Sequence, residues 1–138
     1  ATDRTVSDKV LHARAGNDGM LGFSLYPHHL AGGSDCTLQD FCRMVADTAE
    51  TMGVQRIGIG SDLCQNQPDS VVKWMRDGRW TRTTSDAVFP RQPDWFRDNR
   101  DWDRIAGGLQ RVGFTQQETA AILGDNWTRF WTDGMEPS

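Results

Sequence analysis

The chain has 138 residues, a length typical of one domain and too short for an enzyme scaffold of several hundred residues. Only 37% of the residues are apolar and the mean hydropathy is -0.62, which argues against a membrane span. Nineteen acidic and fifteen basic side chains give a net charge of -4, which argues against a general electrostatic affinity for nucleic acid or anionic lipid.

The chain start and the cysteines indicate a cytoplasmic protein. Residues 1–4 contain no apolar core of a secretion signal. The three cysteines, Cys36, Cys42 and Cys64, are an odd number at spacings that match no tetrahedral zinc pattern. We therefore expect reduced thiols, a cytoplasmic location and no membrane contact.

The first part of the chain predicts a helix followed by a strand. The helix is expected over Asp8–Ala15, with Ser7 or Thr5 as its cap and Gly16 as its end. The run Met20–Tyr26 is rich in large apolar residues and lies between turn-forming residues, which is typical of a strand.

A second pair of helix and strand follows. Thr37 is expected to cap a helix whose apolar residues recur at spacings of three and four, and Gly53 is expected to end it. The residues on its apolar face are Leu38, Phe41, Val45, Thr48, Ala49 and Met52. Val54–Gly60 is then predicted to be a strand. Because alternating helices and strands form parallel sheets, the sequence predicts an α/β fold with about two parallel strands.

Residues 63–100 are predicted to form a long loop within a single segment that covers 1–138. The stretch shows no clear periodicity and contains three prolines, Pro68, Pro90 and Pro93. Disordered segments are poor in aromatic residues, whereas this one is rich in them. An ordered excursion that packs on another surface is therefore expected, with contacts from Trp74, Trp80, Phe89, Trp95 and Phe96.

Three helices are predicted after this excursion. The first begins at Asp101 as its cap and ends before Gly113, and a capping box at residues 115–118 begins the second. Gly124 is expected to end the second helix, and Asp125 is expected to begin the third. The third helix would carry Trp127, Phe130 and Trp131.

Asp62 is the first candidate for a functional residue. It follows the second predicted strand, and ligands of parallel-sheet proteins bind at the carboxyl ends of the strands. Gly58 and Gly60 would allow a ligand or another backbone to come close. The alternative interpretation, that Asp62 only caps the following turn, is about equally well supported by the sequence.

His28 and His29 follow the first predicted strand and would lie at the same edge of the sheet. Adjacent side chains on an extended backbone point in opposite directions, so a metal pair is disfavoured and a solvated or substrate-lining loop is expected. Arg4 would by itself be a solvated cation. The chain contains no dinucleotide-binding fingerprint, Walker motif or His-Glu-x-x-His pair, so nucleotide binding is unsupported.

Two separated motifs resemble the carboxyl-terminal part of the membrane dipeptidase (renal dipeptidase) family. One is Val54–Asp62, with its Gly-x-Gly-Ser-Asp sequence, and the other is Ile122–Trp131, with Asp-Asn-Trp-Thr-Arg-Phe-Trp. Arg4–Leu11 resembles the family segment that begins with a substrate-binding arginine, and Phe23–Tyr26 resembles its next strand. The resemblance runs essentially from end to end.

The resemblance implies a metal-dependent (β/α)₈ TIM barrel in which two zinc ions hold a hydroxide that attacks the amide of a dipeptide. Asp62 would act beside the metals as a proton shuttle or as a ligand of the substrate amine. Arg4 would bind the substrate carboxylate, and Tyr26 would lie on the same rim. His28 and His29 match no ligand motif of the family and are expected to line the substrate only from their position after the first strand. The family's zinc ligands belong upstream of this chain, so no metal position is assigned within it.

A complete barrel needs roughly 250 residues, so the expected partners are an amino-terminal half and a dipeptide or similar small amide. The surplus of aromatic residues would cover surfaces whose neighbours lie outside the chain, and such surfaces also allow association into a homo-oligomer. The alternative function is a binding or interaction module that keeps the scaffold without the chemistry.

Overall fold

The structure is a computed structural model that describes residues 7–17, 19–64, 66–77 and 88–135, without the side chains of Asp8, Val72 and Arg76. The described residues form six α-helices and two strands: α1 Asp8–Ala15, β1 Leu21–Ser24, α2 Leu38–Met52, β2 Ile57–Gly60, α3 Asp69–Asp77, α4 Trp102–Arg111, α5 Gln116–Ala120 and α6 Asn126–Met135. Within this part of the chain, no helix is long and apolar enough to cross a lipid bilayer. Three residues singled out by the sequence, Arg4, Thr5 and Trp80, lie outside the described residues.

The two strands pair in parallel, as the alternation of helices and strands predicts. Leu21 pairs with Ile57, and Ser24 pairs with Gly60. Both strands are shorter than expected, and the prediction of a strand from Val54 onward is wrong. Val54–Arg56 is a turn of 3₁₀ helix, in which Arg56 N–H donates to the Gly53 carbonyl. The chain turns at Gly53, whose φ of 83° favours glycine, before it can enter the sheet.

The two faces of the sheet have different side chains. Because side chains alternate along a strand, Phe23 and Ile59 share one face, and this face packs against α2. The rings of Phe23 and Phe41 meet edge to face at 6.2 Å. The other face carries Gly22 and Ser24 of β1 and the glycines of β2. One face therefore belongs to the hydrophobic core, and the other has almost no side chains of its own.

Helix α2 forms as its apolar periodicity predicts. The Thr37 hydroxyl accepts a hydrogen bond from Asp40 N–H at 3.1 Å, which satisfies one of the unpaired donors at the helix start. The predicted apolar face is buried at Phe41, Val45, Thr48 and Met52. Helix α1 also has the predicted bounds and ends at Gly16, although the side chain of its first flanking residue, Ser7, makes no capping hydrogen bond.

The stretch 63–100 is not a loop throughout. Residues 69–77 form α3, whose exposed surface carries an ion pair between Lys73 and Asp77 at 2.9 Å. The nine residues of α3 are amphipathic, with Val71, Trp74 and Met75 at spacings of three and four, but Trp74 is 74% exposed and Met75 is 52% exposed. Farther on, Trp95 is buried, stacks on Phe41 and donates its indole N–H to the Cys36 carbonyl at 2.7 Å. Trp95 and Phe96 therefore pack in the core as predicted, whereas the predicted packing of Trp74 is wrong.

The last two helices are continuous, so the prediction that Gly124 ends one of them is wrong. A π-helical turn over Ala121–Asp125 joins α5 to α6, and both flanking residues keep helical dihedral angles. Asp101 precedes α4 but does not cap it with its side chain. Its carboxylate accepts from Arg97 N–H at 2.9 Å and lies 3.2 Å from Arg104 Nε. Thr115 and Glu118 form the predicted capping box of α5.

Candidate functional site

Asp62 lies where the carboxyl end of β2 meets the carboxyl end of β1. Its Oδ2 accepts a hydrogen bond of 2.6 Å from the Ser24 hydroxyl, and this bond joins residues 38 positions apart. The backbone of Asp62 has a φ of 51°, in the left-handed region that costs free energy for a residue with a side chain. Asp62 is thus held in a strained conformation at the strand ends, with its side chain 58% exposed.

Two of the predicted site residues surround Asp62 and Ser24. A 3₁₀ turn over Pro27–His29 brings His29 back toward the sheet, so that its Nδ1 lies 2.8 Å from Ser24 Oγ and 3.9 Å from Asp62 Oδ2. Tyr26 N–H donates to Ser24 Oγ at 3.1 Å. The rings of His28 and His29 each lie 5.3 Å from the Tyr26 ring, edge to face.

The structure therefore brings Asp62, Tyr26 and His29 together, with the exposed His28 beside Tyr26. The remaining candidate, Arg4, lies outside the described residues. Sequence reasoning missed Ser24, which joins the others. A signal was available, because Ser24 is the last residue of β1 and is the polar residue of its glycine-rich face.

A cleft of about 400 Å³ opens beside Asp62. Asp62 and Tyr26 form one side of it, and the other side comes from the excursion, through Phe89, Pro90, Gln92, Arg97, Asp98 and Arg100. Arg100 donates from Nε and Nη2 to both oxygens of Asp98, at 2.9 and 2.6 Å, and this pairing holds the Asp98 pKa well below its usual range. Arg97 N–H in turn lowers the pKa of Asp101. The far side of the cleft is thus a charged wall fixed by its own ion pairs.

No group of three or more His, Cys, Asp or Glu side chains within the described ranges is arranged to hold a metal ion. Cys36 and Cys42 are buried, and burial raises the Cys42 pKa to about 11, so this thiol stays protonated at neutral pH. Cys64 is exposed at the cleft. The described residues therefore do not by themselves fit a zinc site.

The second motif of the sequence resemblance, Ile122–Trp131, lies at the opposite, amino end of the sheet. Asn126 is fully buried and donates both amide hydrogens, to the Val54 carbonyl at 2.7 Å and to the Ile57 carbonyl at 2.8 Å. Arg129, one helical turn later, donates to the carbonyl of Gln55. These bonds fix the 3₁₀ turn that leads into β2, so Asn126 and Arg129 hold the fold and do not reach the Asp62 cleft.

Trp127 covers the glycine face at this amino end. A Cβ atom at Gly58 would lie 2.7 Å from Cε2 of the indole, well inside contact distance, and one at Gly22 would lie 3.0 Å from Cζ2. Gly58 is therefore required by the indole and not by a ligand. At Gly60 a Cβ would meet nothing within 4 Å, so the same face is open beside Asp62.

The chain matches no protein-family profile and no curated protein sequence. Among solved structures it is similar to an amidohydrolase from Pseudomonas aeruginosa, with a TM-score of 0.77 and 23% sequence identity. The match covers 91% of this chain and 39% of that chain, so this chain spans well under half the length of its solved neighbour. The two proteins share a fold over this length, which in the described residues is a mixed α/β arrangement with two parallel strands.

Proposed function

We propose that this chain is the carboxyl-terminal portion of a zinc-dependent dipeptidase of the amidohydrolase type, built on a (β/α)₈ barrel. The observation that carries the proposal is Asp62, an exposed carboxylate held at the carboxyl ends of two parallel strands by a hydrogen bond from Ser24. Active sites of parallel α/β proteins lie at this edge. The likeness to a solved amidohydrolase supports the scaffold, and the membrane dipeptidase resemblance supplies the reaction.

The isolated sheet supports the view that more chain is needed. Parallel strands are normally covered on both faces, and a sheet of two strands is marginal alone. Each strand here has one neighbour among the described residues. A second cleft, of about 730 Å³, lies at the amino end of the sheet, and its lining includes Met20, Phe130, Trp131 and Met135. The last two side chains are 59% and 75% exposed. These open surfaces fit an amino-terminal half of the barrel.

The residues of this chain would bind and orient the substrate. The Asp62 carboxylate would either accept a proton during amide cleavage or bind the ammonium group of the dipeptide. Tyr26, His28 and His29 would line the substrate beside it. Arg4 would bind the substrate carboxylate through its planar, permanently charged guanidinium group. Zinc would polarise the amide and supply a hydroxide, and its ligands would come from outside this chain.

The direct test is an assay of dipeptide hydrolysis with added zinc. The chain alone and the chain supplied with the amino-terminal half of a homologous barrel are compared at equal concentration. We expect hydrolysis from the combined protein only, because the described part of this chain provides no zinc ligand cluster. Hydrolysis by the chain alone would contradict the incomplete site, and no hydrolysis by a correctly folded combination would contradict the dipeptidase assignment.

The hydrophobic core favours a second candidate function, that of a binding or interaction module. Among the described residues, fifteen buried apolar side chains form one continuous cluster, and they come from both strands, the connection between β1 and α2, α2, the excursion, α4 and the π-helical turn. A core of this kind supports independent folding. Light scattering and thermal melting separate the two candidates: a monodisperse monomer with one cooperative transition favours the module, and a need for a second polypeptide favours the enzyme fragment.

A further inference from the structure

The Ser24 hydroxyl has three polar neighbours and enough bonding capacity for each of them. It donates to Asp62 Oδ2 at 2.6 Å, accepts from Tyr26 N–H at 3.1 Å, and lies 2.8 Å from His29 Nδ1. A hydroxyl has one hydrogen and two acceptor lone pairs. Its hydrogen is used by Asp62 and one lone pair by Tyr26 N–H, so the bond with His29 requires a hydrogen on Nδ1.

The geometry therefore defines a directed chain of hydrogen bonds, from His29 Nδ1–H to Ser24 Oγ–H to Asp62 Oδ2. We propose that Ser24 and His29 are positioning residues for Asp62: Ser24 occupies Oδ2, His29 fixes the Ser24 hydroxyl, and the carboxylate is thereby held so that Oδ1 meets the substrate. Within the part of the chain that the structure describes, Oδ1 makes no hydrogen bond. This inference rests on the proposed function, because it identifies which carboxylate oxygen of Asp62 contacts the substrate.

The position of the three residues supports a role in the site and not in folding. Ser24 ends β1, Asp62 follows β2, and His29 belongs to the turn after β1, so the chain of bonds spans the open end of the sheet. Asp62 is 58% exposed and the His29 side chain 30% exposed, and exposed polar contacts contribute little to stability. The left-handed backbone at Asp62 keeps the carboxylate within reach of Ser24.

The first test is the tautomer of His29 in the protein completed with its amino-terminal half. Nitrogen-15 NMR of histidine-labelled protein, with the signal assigned through His29→Gln, distinguishes a hydrogen on Nδ1 from one on Nε2 in the neutral ring. We expect the Nδ1–H tautomer in the wild type and in Ser24→Thr, which keeps the hydroxyl, and loss of this preference in Ser24→Ala. An Nε2–H tautomer in the wild type, or no change in Ser24→Ala, would overturn the proposal.

The second test is kinetic and uses the same protein. Ser24→Ala is expected to lower kcat on the order of 10–100-fold with little change in KM, because a misplaced catalytic group slows the chemical step. Ser24→Thr should restore most of the rate. Thr132→Ala, which removes an exposed hydroxyl that donates to the Thr128 carbonyl on α6, is the matched control and should keep the wild-type kcat.

The two tests separate this inference from the proposed function. The tautomer is read without turnover, so an inactive wild type with the expected tautomer contradicts the dipeptidase assignment and leaves the hydrogen-bond chain standing. An active wild type whose kcat is unchanged in Ser24→Ala, with both proteins folded to the same melting temperature, overturns the positioning role alone.

Discussion

The two ends of the small sheet differ in what their polar residues do. At the amino end, Asn126 is fully buried and both of its amide hydrogens are bonded to backbone carbonyls. At the carboxyl end, Asp62 is more than half exposed and its backbone is strained. The two motifs that carry the sequence resemblance thus have different roles, because the one at the amino end holds the fold and the one at the carboxyl end forms the candidate site.

Burial explains the difference. A buried polar group that loses its partner costs about 1–3 kcal/mol, and more when it is charged, whereas an exposed group exchanges its partner for water. Changes at the amino end should therefore lower the free energy of unfolding, and changes at Asp62 should leave it almost intact. The following predictions are ordered by the size of this expected loss.

The largest loss of stability is expected for Asn126→Asp. The change keeps the shape of the side chain but replaces two donors by a carboxylate that faces the carbonyls of Val54 and Ile57. An unpaired buried charge of this kind should lower the free energy of unfolding by about 3–5 kcal/mol, measured by urea denaturation.

The exposed neighbour provides the control for this change. Asp125→Asn makes the reverse substitution one residue earlier and should alter stability by less than about 0.5 kcal/mol. Equal stability of Asn126→Asp and the wild type would show that the amide does not hold the entry to β2.

An intermediate loss of stability is expected for Gly58→Ala. The added methyl group would press into the Trp127 indole, and overpacking of this kind costs roughly 1–3 kcal/mol. Gly60→Ala is the matched control on the same face of the same strand, where a Cβ meets nothing within 4 Å. If both variants melt at the same temperature, Trp127 does not cover the sheet at Gly58.

A smaller loss of stability, which depends on pH, is expected for Glu118→Gln. Hydrogen bonds from Thr115 N–H and the Thr115 hydroxyl lower the Glu118 pKa below 4.5, so folding favours the carboxylate. The stabilisation is present above the pKa of the unfolded chain and is lost as the pH falls through the folded pKa. The difference in melting temperature between the two proteins should therefore be full at pH 7 and shrink as the pH falls below 4.5, and a difference that stays constant over this range would contradict the prediction.

The elements that sequence reasoning located well are those with local signals. Helix α2 has both a cap at Thr37 and a regular apolar face, and the capping box at Thr115 is formed as predicted. Glycine often ends a helix, but here the helix continues through Gly124 in a π-helical turn. Asn126 follows that turn and is fixed by its hydrogen bond to the Val54 carbonyl, a contact that no local signal shows. Helix α3 also has apolar residues at spacings of three and four, but over only nine residues, and the prediction of a loop overlooked this short signal.

The candidate site was found in part for the same reason. Asp62 follows a strand and so could be placed at the carboxyl edge, together with His29 and Tyr26 after the other strand. Ser24 could not be linked to Asp62, because a contact between residues 38 positions apart depends on the register of the two strands. The role of Gly58 depends likewise on where Trp127 packs.

Asp62→Asn gives the smallest expected loss of stability and the most direct test of the central claim, that the carboxyl end of the sheet is the reactive end. The measurement is dipeptide turnover by the completed, zinc-loaded protein, compared between the wild type and Asp62→Asn at equal folded fraction. Loss of a proton-transferring carboxylate predicts a fall in kcat of at least about 100-fold with an almost unchanged melting temperature. Unchanged turnover accompanied by a lower melting temperature would contradict the claim and assign Asp62 to capping the turn.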